Sequence, residues 1–260
     1  MLTVKIRRFP RTTVSWFAER AALPSFLERC ITYEISFVQT QERPTSEVER
    51  SATVSAFTTL VVDLDSDEET LWNEVRGRTR SYIRSAEANV PHRIAWHRHD
   101  PDDRFYDFLS TFCAKQGLWI PSRSLYRAYL RHGVVSECST ERGIVAAHYY
   151  VVDPNSRRVR LLWSARTLDE AATVVAAKLN KLLHWKDILY FRNEFEMHTY
   201  DWGGIALDDP ALKGIDSFKR GFGGTIVTEW NVNWRSRLNP AFIHDFRQEF
   251  FRRTWLQRST

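Results

Sequence analysis

Between residues 133 and 166 the chain runs three strand patterns back to back, and from residue 168 it switches to one long helical pattern. That order constrains the fold more than any other feature. The runs GVVSECS (133–139), GIVAAHYYVVD (143–153) and RVRLLWSAR (158–166) are rich in β-branched and aromatic residues. DPNSRR (153–158) supplies the Asp, Pro and Asn of a hairpin turn between the last two. LDEAATVVAAKLNKLLHWKDILYFRN (168–193) spaces Ala171, Val175, Leu179 and Leu182 at helical intervals, continued by Leu189, which predicts a central and largely buried helix. Successive strands pair antiparallel and a buried helix must cover a sheet face, so the class is a mixed, largely antiparallel α/β sheet flanked by helices.

The flanking segments extend that sheet. CITYEISFV (30–38) and FTTLVVDL (57–64) read as strands joined by an exposed loop, TQERPTSEVERS (40–51). A helix over 65–89 opens on acidic residues, turns Leu71, Val75 and Ile83 inward, and ends before Pro91. A strand at 92–99 and helices near 101–117 and 122–132 follow. Beyond the long helix come a strand in MHTYDWGG (197–204), a glycine-bearing loop, a strand TIVTEWNVNW (225–234), and an amphipathic helix over 235–260 with Asn239 as N-cap and Pro240 in its first turn.

Of 260 residues, 43% are hydrophobic, which is ample for a packed core and argues against disorder. A net charge of +5 favours anionic ligands without requiring nucleic acid. Cys30, Cys113 and Cys138 have neither metal-ligand spacing nor a Cys-x-x-Cys pair, so the expectation is no metal, no disulfide framework and a reducing compartment. No apolar run has the length of a signal sequence or a membrane span, so a cytoplasmic protein without an integral membrane segment is expected.

The chain holds ten glycines, and six of them fall in YDWGG (200–204) and GIDSFKRGFGG (214–224). Glycine gathers where the backbone turns sharply or is closely approached. These two segments resemble the Asp-Phe-Gly-Gly and Gly-Ile-x-x-Phe-Lys-x-x-Phe-Gly-Gly patterns of the Fem-type peptidoglycan aminoacyl transferases and related acyltransferases of the GNAT superfamily. LNKLLHWKDI is similar to the helix that the family places upstream, and residues 59–88 to its strand followed by an arginine-bearing helix. The resemblance covers about residues 57–234. It implies a GNAT-like fold, with residues 1–89 as an incomplete first half, 90–234 as the acyltransferase core and 235–260 as an added helix. The chain departs from the family in having room for only one full half, no coiled-coil arm, and no Arg/Gln-x-x-Gly-x-Gly/Ala loop for a coenzyme A pyrophosphate.

What the resemblance implies is transfer of an activated acyl group onto an amine of a cell-envelope precursor, an amino sugar, sugar nucleotide or peptide stem. The donor is a co-substrate and not a permanent cofactor: acyl-CoA is favoured and aminoacyl-tRNA is the alternative, with tRNA and a homodimer as possible partners. A non-catalytic binding module on the same fold is the reading from another class. Lys219 takes the first place in catalysis, for an oxyanion or a phosphate. Asp201 stands for proton transfer or acceptor orientation, against a structural reading as acceptor of N–H bonds from its glycine turn. His148 shares a strand face with Tyr150 and offers a general base, against a plain sheet histidine without a catalytic partner. Phe218, Trp202 and Trp163 are expected to wall the pocket, with Asp216, Tyr150 and Asn180 binding substrate. Arg80 and Arg84, on a ridge with Arg76, offer a phosphate clamp, against a solvated face.

Overall fold

The computed structural model describes residues 1–6, 11–23, 34–98, 103–169, 173–207 and 209–234. Its centre is one ten-stranded sheet. In chain order the strands are β1 (Leu2–Ile6), β2 (Arg11–Ala18), β3 (Glu34–Thr40), β4 (Ala52–Asp63), β5 (Arg93–His97), β6 (Gly133–Thr140), β7 (Gly143–Asp153), β8 (Arg158–Arg166), β9 (Thr199–Asp201) and β10 (Thr225–Trp234). In space they run β1-β2-β3-β10-β4-β9-β8-β7-β6-β5. Only β2 with β3 and β8 with β9 pair in parallel, so the expected mixed and largely antiparallel sheet is what the chain forms.

Helices cover both faces. On one lie α3 (Gly77–Asn89) and α6 (Thr173–Asn193), packed over Leu60, Val62, Tyr150, Val159 and Leu161. On the other, α4 (Arg104–Gln116) and α5 (Arg123–Leu130) cover Tyr149, Val151, Trp163 and Ala165. Tyr149 and Tyr150 thus face opposite layers, as the period of two requires. Two short helices, α1 (Ser46–Ser51) and α2 (Glu68–Glu74), complete the first part, and α7 (Lys213–Lys219) lies before β10.

Several expectations are corrected. The stretch predicted as loop contains α1, whose first turn carries Glu47 and Glu49, favourable at a helix N-terminus. The single helix expected over 65–89 is two, because Val75 and Arg76 are extended and the Arg76 N–H bonds the Gly221 carbonyl at 2.9 Å instead of continuing the helix. The glycine-bearing loop is α7 followed by a 3-10 turn, and its glycines act after the helix: Gly223 and Gly224 have positive φ, and a side chain on Gly224 would stand 2.4 Å from the Val61 carbonyl. The strand predicted across MHTYDWGG is regular only over Thr199–Asp201. Cys30 and the helix expected over 235–260 lie outside the described residues. Cys113 and Cys138 are buried, unpaired thiols, and burial pushes them up to about 11 and about 12. Among the described residues no helix is long and apolar enough to cross a membrane.

Candidate active site

The site is built where the sheet parts. β8 and β9 pair over three positions, ending at Arg160 opposite Asp201. Beyond Asp201 the backbone follows β4 instead: Trp202 N–H bonds the Leu60 carbonyl and Ile205 N–H the Thr58 carbonyl, both at 2.9 Å. β8 stays with β7, its register shifted so that Tyr149 faces Trp163 and Tyr150 faces Leu161, with Leu162 as the extra residue of a bulge. Gly203, at φ +59°, makes the departing turn, and a Cβ there would lie 2.7 Å from the Leu161 carbonyl. Among the described residues no strand pairs with the β8 edge beyond Arg160, which faces an opening and can offer its backbone groups to a ligand.

Two cavities meet at that opening. One, of about 690 Å³, lies among Trp16, Gln39, Phe57, Trp163, Gly203 and Asp216. The other, of about 510 Å³, is lined by Cys113, Asn180, His184, Trp202, Phe218 and Lys219. Leu161, Leu162, Trp163, Trp119, Leu212 and Ile215 border both.

A four-charge cluster locks the fork. Asp201 receives both Arg158 and Arg160, the latter through Nε at 2.7 Å, and Glu229 accepts from Arg160 Nη2 at 2.9 Å and pairs with Arg158 Nη1 at 2.5 Å. The second Asp201 oxygen accepts from Thr59 Oγ1 at 2.6 Å and the Gly203 N–H at 2.8 Å. Burial opposes the charged form of Asp201 most strongly, but the guanidinium groups of Arg160 and Arg158 and these hydrogen bonds prevail and hold its pKa below the usual carboxylate range. Asp201 thus lies behind the cavities, bonded on both oxygens, in the arrangement of its structural reading.

Lys219 does reach a cavity. Its Nζ donates to the Gly203 and Gly204 carbonyls at 2.6 and 2.5 Å, so α7 is tied to the departing turn. Burial pulls its pKa down to about 7, with Asp201 and Asp216 acting the other way. Asp216, on the same helix, accepts from the Ala206 N–H at 3.3 Å and borders the larger cavity.

His148 is fully buried and off both cavities, and the partner that the sequence did not disclose is Asp187. One Asp187 oxygen meets His148 Nδ1 at 2.8 Å and accepts from Ser136 Oγ at 2.9 Å and Tyr150 OH at 2.7 Å; the other accepts from Trp96 Nε1 at 2.8 Å. His148 Nε2 meets Asn180 Oδ1 at 3.0 Å. Stacked 3.8 Å from His148 is His184, which does line the smaller cavity and whose Nδ1 lies 3.3 Å from Tyr200 OH. Tyr200 in turn meets Tyr150 at 2.9 Å, so a chain of hydrogen bonds runs from His184 to Asp187. Burial first, then the positive neighbours His148, Lys181 and Lys219, hold the His184 pKa well below the ordinary imidazole value. His148, His184 and Asp187 bring ligand atoms within 4.8 Å of one another, the separation a metal needs. Near-parallel stacked rings aim their in-plane lone pairs side by side and not at one point, however, and Asp187 already serves four donors, so the cluster suits hydrogen bonding better than metal ligation.

The structure thus brings Lys219, Trp202, Phe218, Asn180, Trp163 and Asp216 to the cavities and keeps Asp201, His148 and Tyr150 behind them. Arg80 and Arg84 reach neither. Arg80 Nη1 donates to the Trp72, Asn73 and Val75 carbonyls at 3.2, 3.0 and 2.6 Å, tying the end of α2, and Arg84 lies over the Trp72 ring. His184, Asp187, Tyr200, Arg158, Arg160 and Glu229 were not singled out from sequence. Asn180, His184 and Asp187 do stand at i, i+4 and i+7, one polar stripe in a helix otherwise apolar on its buried side, and that is the signal that would have found them.

No protein-family model matches the sequence, and no curated protein matches it. Among solved structures, the chain is similar to the C-terminal domain of a lysylphosphatidylglycerol synthetase from Agrobacterium fabrum, with a TM-score of 0.61 and 12% identity over 99% of this chain and 87% of that one. It is similar to FemX at 0.61 and 12%, covering 88% and 82%, and to L-PGS from Bacillus licheniformis at 0.56 and 13%, covering 95% and 83%. At such identities the likeness establishes a shared fold.

Proposed function

We propose that the chain is an N-acyltransferase that joins an activated acyl group to an amine of a cell-envelope precursor, acting in the cytoplasm. The parted sheet carries this reading: two cavities meet at an unpaired strand edge, one place where a donor and an acceptor can come together. The names of the neighbouring structures, FemX and a lysylphosphatidylglycerol synthetase, support a transferase working on the cell envelope.

In this reading the donor enters the smaller cavity with its carbonyl at the β8 edge. There, backbone N–H groups and the Lys219 ammonium stabilise the oxyanion. The amine nitrogen attacks the carbonyl carbon, a C–N bond forms, and the C–S bond of a thioester, or the C–O bond of an aminoacyl ester, breaks as the thiol or hydroxyl leaves with a proton. His184 takes the proton lost by the amine, held in place through Tyr200 and Tyr150 by Asp187, and returns it to the departing sulfur or oxygen. The activated donor needs no covalent nucleophile, so alignment and charge stabilisation suffice.

Acyl-CoA is the favoured donor and aminoacyl-tRNA the alternative. Incubation of the purified protein with acetyl-CoA or with charged tRNA, each with an amine acceptor, followed by mass spectrometry of the acceptor, separates them. An acetyl adduct identifies the first and an aminoacyl adduct the second; accelerated loss of neither donor, with no adduct, overturns the reading in favour of a binding module.

A further inference from the structure

The larger cavity has a floor that acyl transfer itself does not use. Gln39 on β3, Asn231 on β10 and Ser55 on β4 stand in one register row, Asn231 opposite both others, and all three line the cavity. Gln39 is 1% exposed, yet neither its amide oxygen nor its amide nitrogen has a hydrogen-bond partner among the described residues. Asn231 is 4% exposed with its Oδ1 likewise unpartnered. Buried amides are nearly always bonded, so two neighbouring ones open to the same cavity are equipped for a ligand that both donates and accepts.

Charge narrows the class. Among the described residues Arg160 is the one basic residue lining this cavity; Asp201 and Glu229 balance its charge, and its unpartnered Nη1 adds an N–H donor for a hydroxyl. Asp216, which also lines the cavity, favours an ammonium. The walls include Trp16 and Trp163, flat apolar surfaces of the kind that stack on the C–H face of a saturated ring.

We infer that this cavity binds an amino sugar: a neutral hydroxylated ring that lies on the tryptophans, exchanges hydrogen bonds with Gln39 and Asn231, and turns its amine toward Asp216. The inference rests on the acyl-transfer reading for the amine's role as acceptor, but the binding it describes involves no covalent step and is measured without a donor.

Ligand-observed NMR with glucosamine, and with alanyl-alanine and glycerol 3-phosphate as comparators, tests it on the wild type and on Gln39→Leu, Asn231→Leu and Ser55→Trp. Glucosamine is expected to bind, the two comparators at least tenfold more weakly, and each variant to lose at least tenfold in glucosamine affinity. Neither Leu variant breaks a hydrogen bond of the Gln39 amide or of Asn231 Oδ1, so their melting temperatures without ligand should equal or exceed that of the wild type; a purely structural role would lower them. Ser55 is exposed, so Ser55→Trp fills the floor without entering the core and decides the matter if a Leu variant does not fold. Failure of glucosamine to bind, equal binding of the dipeptide, or unchanged affinity in Ser55→Trp overturns the inference. Glucosamine binding without transfer from either donor would refute the transferase reading alone, and acylation of the dipeptide without glucosamine binding would refute this inference alone.

Discussion

Lys219 and Asp201 sit within one tight turn and obey opposite electrostatics. Lys219 binds a proton in the unfolded chain up to its ordinary pKa of 10.5 but in the folded chain only to about 7. Between those values the unfolded state holds the extra proton, so this lysine makes stability rise with pH across the window and adds no slope outside it. In Lys219→Met that slope should vanish, which urea midpoints at pH 7 and 9.5 would reveal; an unchanged difference between the two would rule out the shifted lysine. Asp201 gives a slope of the same sign in a lower window, although there the charged form is the favoured one. Its folded pKa lies below the unfolded one, so its stabilisation is present above the ordinary carboxylate value and is lost as pH falls toward the folded value. Asp201→Asn leaves Arg158 and Arg160 short of a buried counter-charge and should cost about 3–5 kcal/mol in chemical denaturation. A loss below about 1 kcal/mol would mean that Glu229 alone balances both arginines. The glycine motif marked both residues as special in the sequence. What it did not disclose was the partner: Arg158 and Arg160 look like ordinary strand charges until their spacing of two, on one face of a strand buried on both sides, is taken to require buried carboxylates opposite.

At the scale of elements, α6 decides the chemistry, because a helix buried nearly all round must place its polar residues against something. Asn180, His184 and Asp187 do so by reaching across to β5, β6, β7 and β9. The helix and its burial were legible from apolar periodicity, and its polar stripe was written there as well. The fork between β8 and β9 was not, because where two parallel strands stop pairing depends on the neighbours that capture them, here β4 on one side and β7 on the other. His184 supplies a test of the element. Its folded pKa is depressed, so below about 6.5 the unfolded chain takes up a proton that the folded chain refuses, and stability falls as the solution is acidified. His184→Phe keeps an aromatic ring against Trp202 and Phe222 and removes that proton. The variant should fold with a weaker acid dependence between pH 6.5 and 5, followed by thermal melts, and should lose acyl transfer by about 100-fold or more, the usual span of general acid–base catalysis. Full turnover in a folded variant would take His184 out of the proton path.

The whole molecule is held together across the boundary that the motifs suggest. The glycine motifs, the three-strand run and α6 all lie after residue 90, so the sequence invites a core over 90–234 with a preceding appendage. The sheet is arranged otherwise. β10, inside that core, has only β3 and β4 as neighbours, and both precede residue 90. β4 also separates β10 from β9 and takes the Trp202 and Ile205 hydrogen bonds that pull the backbone away from β8. Without β3 and β4 the ten residues of β10 have no ladder on either side, and without β4 the turn over Gly203 and Gly204 loses the strand that opens the fork. A fragment of residues 90–234 should therefore fail to fold cooperatively, showing a broad urea transition and association in gel filtration driven by its exposed strand edges. Supplying residues 1–89 as a separate chain should restore a sharp transition, if the missing strands are what the fragment lacks. A fragment that folded alone with a sharp transition would place the boundary where the motifs suggested, and would require β10 to find another partner within the core.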